Sequence, residues 1–164
     1  MADVAAAYAL GISQEETGMQ DVRAALASAW RRGEPTVLAT VVRTFHSAPR
    51  PSGAAMLRTL DGAVVGSVSG GCVEGAVYDV AGRVLHDGRP TLERYGVSDD
   101  DAFAVGLTCG GILDVFVERV EADSFPELGE VLADLDEERP VCVATVIEHP
   151  DESRLGRHLV LRGD

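Results

Sequence analysis

Apolar positions change their spacing several times along the chain, and each change predicts an element. In "QDVRAALASAWRRG", Val22, Leu26, Ala29 and Trp30 recur at helical intervals. Asp21 is placed to cap that helix, and Arg31, Arg32 and Gly33 supply a C-terminal signal. "TVLATVVR", Thr36 to Arg43, reads as a buried strand through its β-branched residues. "FHSAPRPSG" follows as an irregular loop marked by Pro49, Pro51 and Gly53. "AAMLRTLDGAVVGSV" predicts a hairpin turning at Asp61-Gly62. In "CVEGAVYDVAGRVLHDG", Val73, Val77, Val80, Val84 and Leu85 share one helical face that Gly88 ends.

The remaining elements follow by the same rules. "TLERYGV" reads as a strand, and Ser98 heads "SDDDAFAVG" as an N-cap. "GILDVFVERV", Gly111 to Val120, alternates as a half-buried strand would. "SFPELGEVLADLDEER" is an amphipathic helix with Leu128, Val131, Leu132 and Leu135 inward and an acidic, solvated outer face. The N-terminal "MADVAAAYALGI" has no positive region and is read as a poorly ordered or short helical arm. "PTVLATVV" (35–42) and "PVCVATVI" (140–147) match in residue type along their whole length. Each is followed by a Pro-containing loop, a Gly and a second apolar run, so a strand-loop-hairpin unit starts again and stops at Asp164. The expected organisation is an arm at 1–20, an α/β domain at 21–139, and the start of a truncated second unit at 140–164. The fold expected is α/β, a mixed sheet with helices packed on it and Gly-Cys turns at the sheet edge.

Composition narrows the chemistry. The 164 residues suit one domain or one plus part of another. A net charge of -13 argues against nucleic acid or an anionic membrane surface as partner. All 14 basic residues are Arg; Lys and Asn are absent, which removes a P-loop lysine and a Schiff-base lysine and suits a GC-rich bacterial genome. No apolar run approaches the ~20 residues that span a bilayer. Three cysteines at unpatterned spacing suggest no disulfide framework, so a reducing cytoplasm is the expected compartment.

Two of those cysteines stand beside glycine pairs, in "GSVSGGCVEGAV" and "GLTCGG". In the first, Ser69, Gly70 and Gly71 lead from a strand into a helix. Their amides and the helix N-terminus suit a phosphate, a carboxylate or another oxyanion. Cys72 sits at the start of that helix, where thiolate is favoured. With Cys109 in the mirrored turn, two thiols could hold a soft metal, a sulfur-bearing cofactor or a transient disulfide. Cys142, mid-strand and without a glycine partner, is assigned to the core. Arg50, between two prolines, is held to bind an anion bidentately.

Together the S-A-P-R loop, the G-G-C-V-E turn, the D-D-D stretch and the L-x-C-G-G turn closely resemble the XdhC/CoxI family over Pro35 to Val120. These are accessory proteins of xanthine dehydrogenase, carbon monoxide dehydrogenase and related molybdenum hydroxylases. The resemblance implies a maturation chaperone rather than a turnover enzyme. It would bind the molybdenum cofactor (molybdopterin) as cargo, assist its sulfuration and help insert it into a molybdenum hydroxylase apoenzyme. A cysteine desulfurase is an expected further partner, and a homo-oligomer the expected assembly. By matching position, the resemblance points to Ser47, Arg50, Gly70, Gly71, Cys72, Glu74, Cys109, Gly110 and Gly111 as cofactor-binding residues. Ser69 joins them from the turn itself, and Cys72 and Cys109 are the candidates for the molybdenum. The Rossmann-like C-terminal domain of longer family members is not expected within these residues. A thiol-based redox or metal-binding protein and a non-catalytic interaction module stand as alternatives.

Overall fold

A computed structural model describes the backbone of residues 7–9 and 17–21, and residues 22–96 and 111–163 in full. The main sheet has five strands in the order β4-β3-β2-β6-β5. They are β2 (Thr36–Phe45), β3 (Ala55–Arg58), β4 (Val64–Gly66), β5 (Thr91–Tyr95) and β6 (Ile112–Val120). A second sheet, ordered β1-β7-β8, joins Ala7–Ala9, Val141–Val146 and His158–Arg162. The α/β class stands, and every strand pairing among the described residues is antiparallel.

Helices cover both faces of the main sheet. One face carries Val37, Ala39, Val41, Met56, Val115 and Val117. It is closed by α2 (Glu74–Asp87) through Val77, Val80 and Val84, which the sequence placed on one face, and through Ala81, which it did not. Gly88 ends α2 at φ 71°, its amide bonding Val84 O at 2.9 Å. The other face carries Leu38, Ala55 and Leu57. It packs on α1 (Thr17–Arg32), α3 (Leu128–Asp136) and the inner side of the second sheet, with Val22, Leu26, Leu128, Val131 and Val143 in one cluster.

Five local expectations change. Helix α1 starts at Thr17, one turn before Asp21, because periodicity registers only the packed turns. Residues 7–9 form a strand against β7 in place of a disordered or helical arm, pairing Ala9 with Ala144. β6 is buried on both faces, not half-buried, since it lies between β2 and β5 under both layers. Asp134 on the acidic helix is buried too, bonded by Arg139 at 2.9 Å and Arg162 at 2.7 Å. Cys142 is half-buried rather than core, because it alternates with the inward Val143 and so takes the outer face of β7. The Ser98 cap lies outside the described residues.

The β7–β8 hairpin reproduces the hydrogen bonds that close β2–β3. In the first, Gly53 N donates to Val41 O at 2.8 Å, and Val41 N to Ala54 O at 2.9 Å. In the second, Gly156 N donates to Val146 O at 2.9 Å, and Val146 N to Arg157 O at 3.0 Å. Val146 stands in the matched segment where Val41 stands in its own.

Candidate functional site at one end of the main sheet

Strand register brings the sequence motifs to one end of the sheet. Phe45 closes β2 opposite Ile112, which opens β6. β5 ends at Tyr95 opposite Leu113, and β4 runs upward to Gly66 beside Met56. So the S-A-P-R loop after β2, the G-G-C turn after β4 and Gly111 before β6 emerge together. Val68 and Val73, both fully buried, seat the G-G-C turn in the cluster that holds Leu113 and receives Ala48 of the S-A-P-R loop.

Two of the motifs touch through backbone. A Cβ on Gly111 would come 2.8 Å from Ser47 O and 2.9 Å from Ala48 N. Only glycine lets those segments approach so closely. His46, just before, holds φ at 59°, a left-handed conformation rare outside glycine, and its carbonyl accepts from Ala48 N at 2.9 Å.

The G-G-C turn is an anion nest, and the chain fills it with its own anion. Glu74, the first residue of α2, turns its carboxylate back into the turn. Oε1 accepts from Ser69 N at 2.9 Å and Ser67 Oγ at 2.6 Å; Oε2 accepts from Gly71 N at 2.8 Å and from Ser69 Oγ. Ser69 Oγ also accepts from Val73 N at 2.9 Å, and Ser67 Oγ from Gly70 N at 2.9 Å. Burial alone would raise the Glu74 carboxyl. The hydroxyls of Ser67 and Ser69 and the Ser69 amide outweigh it and hold the group at about 2. The expectation that these amides await an external oxyanion is therefore revised: those of Ser69 and Gly71 are engaged by Glu74, at the spacing of a capping box.

What remains open faces outward. Cys72 is exposed, and so are Gly70 and Gly71, where an added Cβ would meet nothing within 4 Å. Ser47 is exposed and Arg50 half-buried. Among the described residues no hydrogen bond or ion pair engages Arg50. Helix α2 begins at Glu74, so Cys72 stands two residues before it. Cys109 and Gly110 lie outside the described residues, as does the D-D-D stretch.

Two buried polar clusters escaped the sequence reading. Asp114, 1% exposed, accepts from Arg94 Nε at 2.6 Å and Nη2 at 2.8 Å, with Arg43 at 3.5 Å. Arg94 also lies 5.6 Å over the Phe45 ring, and Arg43 bonds Glu148. Second, Glu118 reaches His158 Nε2 at 3.3 Å, while His158 Nδ1 meets Thr145 Oγ1 at 3.0 Å and its ring stacks on Phe125. These three polar groups border a cavity of about 80 Å³ between the two sheets. The available signal was the same-face spacing of Asp114, Phe116 and Glu118, charges flanking an aromatic in a strand whose only other polar residue is Arg119.

Comparison with known proteins agrees with the motifs. Residues 29–96 match the XdhC and CoxI family. A Bacillus subtilis (strain 168) protein described as a probable xanthine dehydrogenase subunit is 38% identical over 89 residues, which are 53% of this chain and 27% of that protein. The "Molybdenum cofactor insertion chaperone PaoD" of Escherichia coli (strain K12) is 37% identical over 109 residues, 66% of this chain and 33% of its own. The chain thus spans about a quarter to a third of these curated relatives. A crystal structure described as a xanthine dehydrogenase from Bacillus halodurans shares the fold. Its TM-score is 0.63 at 23% identity, covering 86% of this chain and 52% of that one. No helix among the described residues is long and apolar enough to cross a membrane. Residues 29–96, which carry the S-A-P-R loop and the G-G-C-V-E turn to one end of the main sheet, are thus similar to the XdhC and CoxI family.

Proposed function

We propose that this chain is an accessory protein of molybdenum-enzyme maturation that holds the molybdenum cofactor as cargo for a xanthine dehydrogenase-type apoenzyme. The carrying observation is the convergence of the S-A-P-R loop, the G-G-C turn and Gly111, with Arg50 unengaged among the described residues and Cys72 exposed. The cofactor's phosphate suits the Arg50 guanidinium, and its soft molybdenum-sulfur centre suits a thiol such as Cys72. The printed role of the E. coli relative, a cofactor insertion chaperone, supports the same reading. In its finer form the cargo is sulfurated by a cysteine desulfurase while bound, then released to the apoenzyme. Cys109, Gly110 and Gly111 complete the proposed binding set.

The test is cofactor retention. The protein, purified from cells that make molybdopterin, is assayed for the fluorescent oxidised pterin and for molybdenum. Arg50→Ala is expected to lower bound pterin about tenfold, the loss of one charge-assisted contact. Cys72→Ser is expected to lower molybdenum more than pterin. Unchanged retention in the double variant would overturn both roles.

A further inference from the structure

β5 ends on a tyrosine at the same end of the sheet as the converging motifs. Tyr95 pairs with Leu113 and is 8% exposed. It belongs to the cluster that holds Val68 and Val73 beneath the G-G-C turn and receives Ala48 of the S-A-P-R loop. Its Oη is shut off from solvent and, among the described residues, meets no hydrogen-bond partner. Glu93, two residues back on β5, is taken by Arg83 at 3.9 Å.

A buried tyrosine normally places its hydroxyl on a partner. Tyr78 does so, donating to Gly62 O at 3.5 Å. An unpaired hydroxyl in an apolar layer destabilises the fold, and phenylalanine would fill the same space without that loss. Two arginines, Arg58 and Arg119, also carry shut-in nitrogens without partners. Both are accounted for within the fold. Arg58 lies 4.6 Å over the Tyr78 ring, and Arg119 donates to Leu85 O at 3.2 Å and to Glu121 at 2.7 Å. They flank Val37 near the start of β2, at the opposite end of the sheet. Of the three, Tyr95 alone stands at the motif end, with its one polar atom unused. Burial pushes its phenol up to about 12, with Glu93 adding to the rise and Arg83 opposing it. The group therefore keeps its proton and offers it as a donor.

On the footing of the cofactor-holding role proposed for this chain, we propose that the Tyr95 hydroxyl is a cargo ligand. It donates to an acceptor on the pterin ring system, a carbonyl oxygen or a ring nitrogen, while Arg50 takes the phosphate. The Oη is covered in the cargo-free chain, so the bond forms as cargo parts the segments over it. A covered donor has no water to give up. The new bond replaces an unpaired hydroxyl rather than a hydrated one, and its gain is not offset by lost hydration.

Tyr95→Phe separates this role from a structural one, because the two predict opposite changes. Wild type and variant are purified as the full chain, from cells that make molybdopterin and from cells that do not. In the cargo-free protein the variant is expected to unfold about 2–4 °C higher, having lost an unpaired polar group. In the loaded preparations it is expected to retain about tenfold less pterin, read as the fluorescent oxidised product. A cargo-free variant that unfolds below wild type would mean that the hydroxyl is bonded within the fold. Equal pterin retention would mean that cargo does not use it. Either result overturns the assignment of Tyr95. A wild type that carries no pterin overturns the cofactor-holding role itself, and the part of Tyr95 with it.

Discussion

The carboxylate of Glu74 accepts the amide of Gly71 at 2.8 Å, so the turn that looks built for a foreign anion is already closed by the residue three positions on. The contact organises the site. It fixes the G-G-C turn against the start of α2 and leaves Cys72 on the outside. Replacing Glu74 by Gln keeps the shape but puts a donor beside amide and hydroxyl donors. The expected cost is about 2 kcal/mol of unfolding free energy, read by urea denaturation, because buried donors lose their acceptor. A neutral result would mean that the turn holds itself.

The same carboxyl makes a pH prediction. Its folded value, about 2, lies below the ordinary 4.5. Its contribution is therefore fully present above about pH 4.5 and fades as pH falls toward 2. Asp114 and Asp134 are also lowered, by their Arg94 and Arg162 partners respectively, so the whole protein weakens in acid. The comparison with Glu74→Gln isolates the one group. The stability gap between wild type and variant is expected to be constant from pH 7 to 5 and to shrink below 4.5. A gap independent of pH would contradict the assignment.

Asp114 carries a third prediction. It is buried near the start of β6 while its arginines are part-exposed, with Arg94 52% and Arg43 34% accessible. Asp114→Asn removes the charge from a fork that still presents two guanidinium groups. The expected loss is about 2 kcal/mol, below the ~3–5 of a wholly buried pair because solvent screens the partners. Thermal unfolding at low and high salt checks it: the variant gap should narrow with salt.

The periodic elements were legible because their signal is local. The stripe Val77, Val80, Val84 specifies α2, and Asp61-Gly62 specifies the β3–β4 turn, with Gly62 at φ 87°. The likeness of the β2–β3 and β7–β8 hairpins was legible because Val41 and Val146 sit in matching strings. Alternation misplaces Asp114 and Glu118 on a solvent face because it records polarity, not what lies opposite. Their partners Arg94 and His158 are 20 and 40 residues away in sequence. Glu74 reads as a ligand residue, since a capping-box spacing without Ser or Thr at its head carries little weight. The motif convergence at the sheet end follows from β-register, which the sequence does not state.

The glycines at the site separate fold from function. Gly111→Ala would place a Cβ 2.8 Å from Ser47 O and 2.9 Å from Ala48 N, backbone atoms that cannot swing aside. The S-A-P-R loop must move, at an expected cost of about 1–3 kcal/mol. Gly70→Ala meets open space but at φ 72°, so it costs only the left-handed penalty, about 1 kcal/mol. Stability should therefore fall further for Gly111→Ala, measured by thermal unfolding. Cofactor retention discriminates differently. If cargo lies against the outer side of the G-G-C turn, the methyl of Gly70→Ala occupies its approach. Retention then drops in a protein that is still well folded. Retention that simply follows stability across the two variants would place the cargo away from this turn and leave Glu74 and its amides with a structural role alone.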